Sequence, residues 1–194
     1  GLKIKDRRDF FIPIPQAGWT VPRDREKKIP PIFNLQSSLM IKQKENFLKN
    51  EYIPLLQKLE PGQKGNWGKM DGQQMVEHMR DVFKGANGKI VLPLLTTDPE
   101  DLAKRRAFIM TDMLFKENTR VPVMPEEPRP HKYANITEAI AKTQVELDDV
   151  FVVYGADAQK TTMNPIFGEL NYEEQVSLLY KHARHHLRQF GLVD

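Results

Sequence analysis

Amphipathic helical patterns, interrupted by prolines and glycines, restrict the possible folds of this chain more than any other feature of its sequence. Apolar residues recur at helical spacing in five segments, which we predict to span residues 35–59, 71–86, 99–116, 135–154 and 171–190. Convincing strand alternation is lacking, and the runs 89–92 and 151–153 are only weak exceptions. The pattern predicts an all-α protein, a four-helix bundle built from four long helices and one shorter helix.

Capping residues and helix breakers set the expected boundaries of these helices. Asp71 is a plausible N-cap of the second helix, and Asn87-Gly88 is a typical signal for its end. Pro54 should kink or end the first helix near Ile53, because proline lacks the N–H donor that a helix interior needs. Residues 119–134 contain four prolines and predict a long connection that crosses the bundle.

The first 34 residues differ from the rest of the chain. They contain five prolines, so a long helix is excluded there, and we expect an extended arm that lies on the outside of the bundle. A mobile tail is the alternative, although Phe10, Phe11 and Trp19 are too apolar to stay fully in water. The predicted organisation is therefore an N-terminal arm, 1–34, and one helical domain, 35–194.

Composition narrows the possible functions. The chain has no cysteine, so any metal must be held by His, Asp or Glu, and any thiol chemistry must use a thiol from outside the protein. The net charge of +3 is spread among 26 acidic residues without basic blocks, which argues against nucleic-acid binding. No apolar run approaches the roughly 20 residues needed to span a bilayer, and a cytoplasmic location is expected.

Two histidines of the last helix share its apolar face. An α-helix turns about 100° per residue, so His182 and His186 lie roughly 40° apart. Measured from Leu179 at the centre of the apolar stripe, they lie roughly 60° and 20° away, whereas His185 lies about 120° away. Imidazoles at positions i and i+4 can bind one ion, so the pattern indicates a metal site inside the bundle. Hydrogen-bonded core histidines are the alternative.

A third ligand must come from another helix. His78 is the best candidate, although it lies at the edge of its helix's apolar stripe, where it can also face water. His131 falls on the long connection and is expected to face solvent. Gln189 lies seven residues after His182, on nearly the same side of the helix, and can orient a ligand ring or a bound water. Glu77 points about 100° away from His78 and is not expected to act as a base.

Two segments resemble the DinB family. WGKMDGQQMVEHM (67–79) is similar to the family's Trp-containing loop and following helix, which carries one His ligand. KHARHHLRQFG (181–191) is similar to its closing helix, in which H-x-x-x-H is followed three residues later by Gln. The match covers residues 35–191. Within the family, the closing segment most resembles an uncharacterised branch that often has His-Pro-x-Phe-Gly, where this chain has Asn164 in place of His.

The resemblance implies a four-helix bundle in which His78, His182 and His186 hold one divalent ion, zinc or nickel. It also implies frequent homodimers and a small-molecule substrate. Some members look like transferases that use a low-molecular-weight thiol, and others look like metal-dependent hydrolases. A metal-stabilised interaction protein without turnover is the alternative, and a metal-free structural bundle is a third reading. The sequence identifies no catalytic residue.

Overall fold

The structure, a computed structural model, describes residues 31–119, 125 and 127–194, and this part of the chain is mostly helical. A π-helical turn, Phe47–Glu51, joins the first two helices, and two short strands form one antiparallel hairpin. The elements are α1 (Pro31–Asn46), α2 (Tyr52–Leu56), α3 (Gly72–Ala86), α4 (Pro99–Ile109), α5 (Ile136–Ala156), β1 (Thr162–Asn164), β2 (Gly168–Leu170) and α6 (Tyr172–Gln189). The predicted all-α class is therefore correct in its main point, with one small sheet added.

The first helix begins earlier than expected. It starts at Pro31, which the first turn of a helix tolerates, so the prediction that the arm extends over residues 1–34 is wrong for residues 31–34. Residues 1–30 of the predicted arm lie outside the described residues. The irregularity expected at Pro54 takes the form of the π-helical turn just before it, where the Tyr52 N–H donates to the Phe47 carbonyl. The helix then continues to Leu56 and does not end at Ile53. Pro54 is accommodated by a change in the backbone hydrogen-bond pattern of the turn that precedes it.

Three predicted helix starts are confirmed by their caps. Asp71 and Asn171 each accept the backbone N–H three residues later, and Gln74 and Glu174 bond back to complete a capping box. Asn135 caps α5 in the same way, through the Glu138 N–H. These three side chains fix the first turns of the helices that form most of the core.

The helix α4 is shorter than predicted, because it ends at Ile109 and not near Lys116. Beyond it, the carbonyls of Thr111 and Met113 accept hydrogen bonds from the buried ammonium of Lys181 on α6. These two carbonyls therefore bond to a side chain and not to a backbone N–H of a continuing helix. A tertiary contact overrides the local helical pattern here, and it leads the chain towards Phe115, which packs close to the histidines of α6.

The hairpin was not predicted, although its turn carries a clear signal. Asn164 Oδ1 accepts the N–H groups of Ile166 and Phe167, and Gly168 has a φ of +78°. The Asn164 side chain therefore closes this turn. Phe167 and Leu170 are buried in a small second cluster with Phe108.

The main core lies between the long helices. The helix α3 packs along α5, α1 packs along α6, and α3 also contacts α6. Fully buried side chains of α3, α5, α6 and the segment from the π-helical turn to α2 include Leu48, Tyr52, Met75, Phe83, Leu147 and Leu179. Among the helices that the structure describes, none is both long enough and apolar enough to cross a bilayer.

Candidate metal centre

Three histidines from two helices converge at the contact between α3 and α6. The Nε2 atoms of His78 and His182 are 3.2 Å apart, and those of His182 and His186 are 3.1 Å apart. One ligand nitrogen from each of the three rings lies within 4.8 Å of the others. The structure therefore brings together the three histidines singled out in the sequence, and this set can hold one metal ion.

Burial keeps these rings neutral. His186 is only 5% exposed, and His78 and His182 are partly buried. Burial lowers the pKa of His78 to about 4 and takes the pKa values of His182 and His186 well below the usual value. The neighbouring imidazoles act in the same direction, since each would repel a second positive charge. Neutral imidazole is the form that binds a metal ion.

Gln189 sets the tautomer of His186. The Nδ1 atom of His186 is 2.8 Å from Gln189 Oε1, and an amide oxygen can only accept a hydrogen bond. The proton of this neutral ring must therefore be on Nδ1, so Nε2 presents a lone pair to the cluster. The predicted place of Gln189 beside a ligand ring agrees with this contact.

A loop that is distant in sequence from α6 holds Gln189 in place. The Gln189 Nε2 atom donates to the Trp67 carbonyl at 2.7 Å, and the Asn66 N–H donates to the Gln189 carbonyl at 2.7 Å. In addition, Gln63 Nε2 donates to the Phe190 carbonyl. The segment before α3 thus wraps around the end of α6, next to the histidine cluster.

His185 lies beside the cluster without joining it. Its ring centroid is 5.1 Å from that of His186 and 6.0 Å from that of Trp67. The ring donates a hydrogen bond to the backbone of Phe115, and its Nδ1 atom is buried without a partner among the described residues. The Trp67 Nε1–H is likewise buried and unpartnered within the part of the chain described. Two buried polar atoms beside the cluster therefore have no hydrogen-bond partner among the described residues.

The two remaining sequence candidates have structural contacts. His131 is exposed, as expected, and its Nε2 lies 2.9 and 3.0 Å from the two carboxylate oxygens of Asp71. Glu77 accepts the backbone N–H groups of Lys132 and Tyr133, so it anchors the end of the long connection to α3. Neither side chain belongs to the histidine cluster.

The sequence alone did not reveal the side chains around the cluster. Phe115 packs against His182 and His185, with centroid distances of 5.9 Å to each ring, but it was placed in the predicted third helix. In the Gly-Asn-Trp-Gly segment, residues 65–68, the two glycines are a sequence signal that another group comes close to the backbone.

No protein-family model, curated protein or solved structure matches this chain.

Proposed function

We propose that this protein is a DinB-like metalloprotein that binds one divalent ion, zinc or nickel, through His78, His182 and His186. The finer architecture is a four-helix bundle in which α1–α2, α3, α5 and α6 are the four long elements. The predicted crossover connection at residues 119–134 lies partly outside the described residues.

The main support for the proposal is the close approach of three ring nitrogens that have too few protons to hydrogen-bond to one another. His182 Nε2 is close to two other Nε2 atoms, and His186 Nε2 is already a lone pair because its Nδ1 carries the proton. One ring proton of His182 cannot align with both neighbours at once. A cation satisfies all three lone pairs together. Tetrahedral zinc at 2.0–2.1 Å from each nitrogen requires N···N distances of about 3.3 Å, close to the spacings of 3.1 and 3.2 Å.

The ligand type favours zinc or nickel. The set consists of neutral imidazoles only, and imidazole suits the later divalent transition metals, whereas magnesium and calcium prefer oxygen ligands. Three protein ligands leave at least one coordination position open, which is typical of catalytic sites. A divalent ion in such a site supplies Lewis acidity and lowers the pKa of a water or thiol that reaches the open position.

The surroundings support an enzyme that acts on a small molecule. Phe115 provides an apolar wall against His182, while Trp67 Nε1 and His185 Nδ1 offer a donor and an acceptor nearby. Because the chain has no cysteine, a transferase would take a low-molecular-weight thiol as cosubstrate. A hydrolase would instead use water. We propose a thiol-S-transferase or a hydrolase, located in the cytoplasm, with a homodimer as the expected assembly and no nucleic-acid or membrane partner.

A second candidate is a metal-stabilised interaction protein without turnover. A groove of about 580 Å³ lies between α2 and α5, with Ile53, Leu59 and Ile140 in its lining, and none of its lining residues belongs to the histidine cluster. A metal ion that only joins α3 to α6 would serve such a protein as a structural link. This reading predicts metal binding without chemistry.

Metal analysis of untagged protein tests the proposal first. Protein purified without a histidine tag and then loaded with excess zinc or nickel should retain close to one ion per chain after desalting. The variant in which His182 and His186 are both replaced by Ala should retain essentially none. Wild-type protein that retains no more metal than this double variant would overturn the proposal.

An activity screen separates the two candidates. Metal-loaded protein is incubated with low-molecular-weight thiols plus electrophiles, and separately with ester and amide substrates. Turnover that disappears with chelator and in the double variant supports the enzyme. One equivalent of tightly bound metal without turnover in any assay supports the interaction protein.

A further inference from the structure

We propose that the loop from Gly65 to Gly68 fixes the orientation of the Gln189 side-chain amide, and thereby the tautomer in which His186 presents Nε2 to the metal. The loop residues and Gln189 are positioning residues for the ligand. The consequence for affinity rests on the proposed metal site, but the tautomer is a property of the metal-free chain as well.

The Gln189 amide has two ends of opposite hydrogen-bonding character, and its neighbours decide which end faces which way. The Trp67 carbonyl, 2.7 Å from Nε2, can only accept a hydrogen bond, so the NH₂ end must face it. The oxygen end is then left for His186 Nδ1 at 2.8 Å. A flipped amide would place two oxygens against each other at Trp67 and would lose the hydrogen bond to the Trp67 carbonyl.

The amide orientation determines which His186 nitrogen is free. With Gln189 Oε1 at Nδ1, the ring carries its proton on Nδ1, and Nε2 has a lone pair for an ion. A flipped amide would present NH₂ to Nδ1, so the proton would move to Nε2 and block coordination. The Trp67 carbonyl, which touches no ligand directly, therefore controls the ligand through one intermediate side chain.

Two glycines allow the loop to approach this closely. A Cβ at Gly65 would lie 2.9 Å from Gln189 Cγ and 3.0 Å from the Trp67 carbonyl oxygen. At Gly68, which has a φ of +77°, a Cβ would lie 2.7 Å from Gln189 Nε2. A methyl group at either position would therefore move the amide or the carbonyl that orients it.

A backbone hydrogen bond also fixes the position of this loop relative to the end of α6. The Asn66 N–H donates to the Gln189 backbone carbonyl at 2.7 Å, so the loop contacts both the backbone and the side chain of this residue. The Trp67 carbonyl is thus fixed relative to the helix end that carries His186.

Nitrogen NMR of the metal-free protein tests the tautomer directly. In ¹⁵N-labelled protein at pH 7.5, long-range ¹H–¹⁵N correlations distinguish a protonated ring nitrogen from an unprotonated one. We expect His186 to carry its proton on Nδ1 only. A His186 ring protonated on Nε2, or an even mixture of the two forms, would overturn the proposal.

A pair of glycine variants tests the role of the loop. Gly68→Ala adds a methyl group against Gln189, whereas Gly62→Ala adds one at a similar φ of +74° with nothing within 4 Å. Both positions have a similar positive φ, so Gly62→Ala is the matched control. We expect Gly68→Ala to lose the single tautomer and about 10–100-fold in zinc affinity, and Gly62→Ala to keep both. Equal behaviour of the two variants would overturn the proposal.

If Gly68→Ala does not fold, variants of Gln189 test whether its amide determines the His186 tautomer. Gln189→Leu removes both hydrogen bonds and should mix the His186 tautomers. Gln189→Glu keeps an acceptor at Nδ1 and should restore the Nδ1–H form. A Gln189→Leu protein with an unchanged tautomer would contradict the proposal. If the wild type shows the Nδ1–H form but binds neither zinc nor nickel, the metal function fails while the positioning of His186 stands.

Discussion

Histidine positions on α6 differ in environment within a single helical turn, and this difference decides which rings can act as ligands. His182 and His186 converge with His78, whereas His185, next in sequence to His186, turns to the backbone of Phe115. Helical geometry predicted this separation from the sequence, because 100° per residue places the pair and its neighbour on different faces. The partners Phe115 and Trp67 could not be predicted, since they come from irregular segments whose paths depend on tertiary contacts.

Glu77 is next in sequence to the proposed ligand His78, and replacing it tests whether its carboxylate has a structural or a chemical role. Its two oxygens accept the backbone N–H groups of Lys132 and Tyr133, so Glu77→Gln should leave one of these donors without a good acceptor. We expect a loss of about 1–2 kcal/mol in the free energy of unfolding. Zinc affinity should be unchanged within about threefold, because Glu77 does not contact the histidines. Denaturant titration and zinc competition measure the two effects, and a large fall in affinity with unchanged stability would contradict this account.

Helix termini are the elements that the sequence predicted best. Asp71, Asn135 and Asn171 each cap the helix expected to follow them, because the capping interaction is local and involves residues three apart. The end of α4 was predicted wrongly, because the Lys181 ammonium that pairs the Thr111 and Met113 carbonyls comes from a helix about 70 residues later. Local signals therefore located the helices that carry the site, while long-range contacts determined what surrounds it.

The N-terminus of α6 allows the contribution of a helix cap to be tested. Asn171 caps the helix that carries two of the proposed ligands, and its capping-box partner Glu174 also binds Arg106 of α4 through both carboxylate oxygens. Asn171→Ala should lower the free energy of unfolding by about 1 kcal/mol, which corresponds to about 2–4 °C in Tm for a domain of this size. Asn171→Ser, which keeps a capping oxygen, should recover most of the loss. Equal melting temperatures for the wild type and both variants would contradict this role.

The proposed ion would connect α3 to α6 across most of the sequence, so binding should stabilise the whole molecule. An ion that binds only the native state contributes RT ln(1 + [L]/Kd), about 2.7 kcal/mol at a hundredfold excess over Kd. We expect Tm to rise by about 5–10 °C on addition of zinc or nickel at pH 7.5, and the chelator-treated protein should still fold. A chelated protein that is unfolded at 25 °C would contradict the view that the helical core is sufficient for folding.

The pH dependence of stability follows from the three buried rings. Their pKa values lie below 6.5 in the native state, so the unfolded chain binds more protons than the native state once the pH falls below about 6.5. This contribution to stability is complete above pH 6.5 and is lost as the pH falls towards the native pKa values. Between pH 7.5 and 5.5 the loss is about 1.4 kcal/mol for a histidine whose native pKa is about 4, as for His78, and His182 and His186 contribute in the same direction. Denaturant titrations of metal-free protein should show it, and an unchanged or increased stability at pH 5.5 would contradict these pKa shifts.

The most direct test of the account compares zinc affinity, measured by competition with a chromophoric chelator, in the wild type and four single variants. The account predicts one ion per chain in the wild type. It predicts a loss of at least about 100-fold in His78→Ala, His182→Ala and His186→Ala, because each removes one ligand, and little change in His185→Ala. A His78→Ala protein that binds zinc as tightly as the wild type would contradict the account, as would a His185→Ala protein that loses as much affinity as the other three.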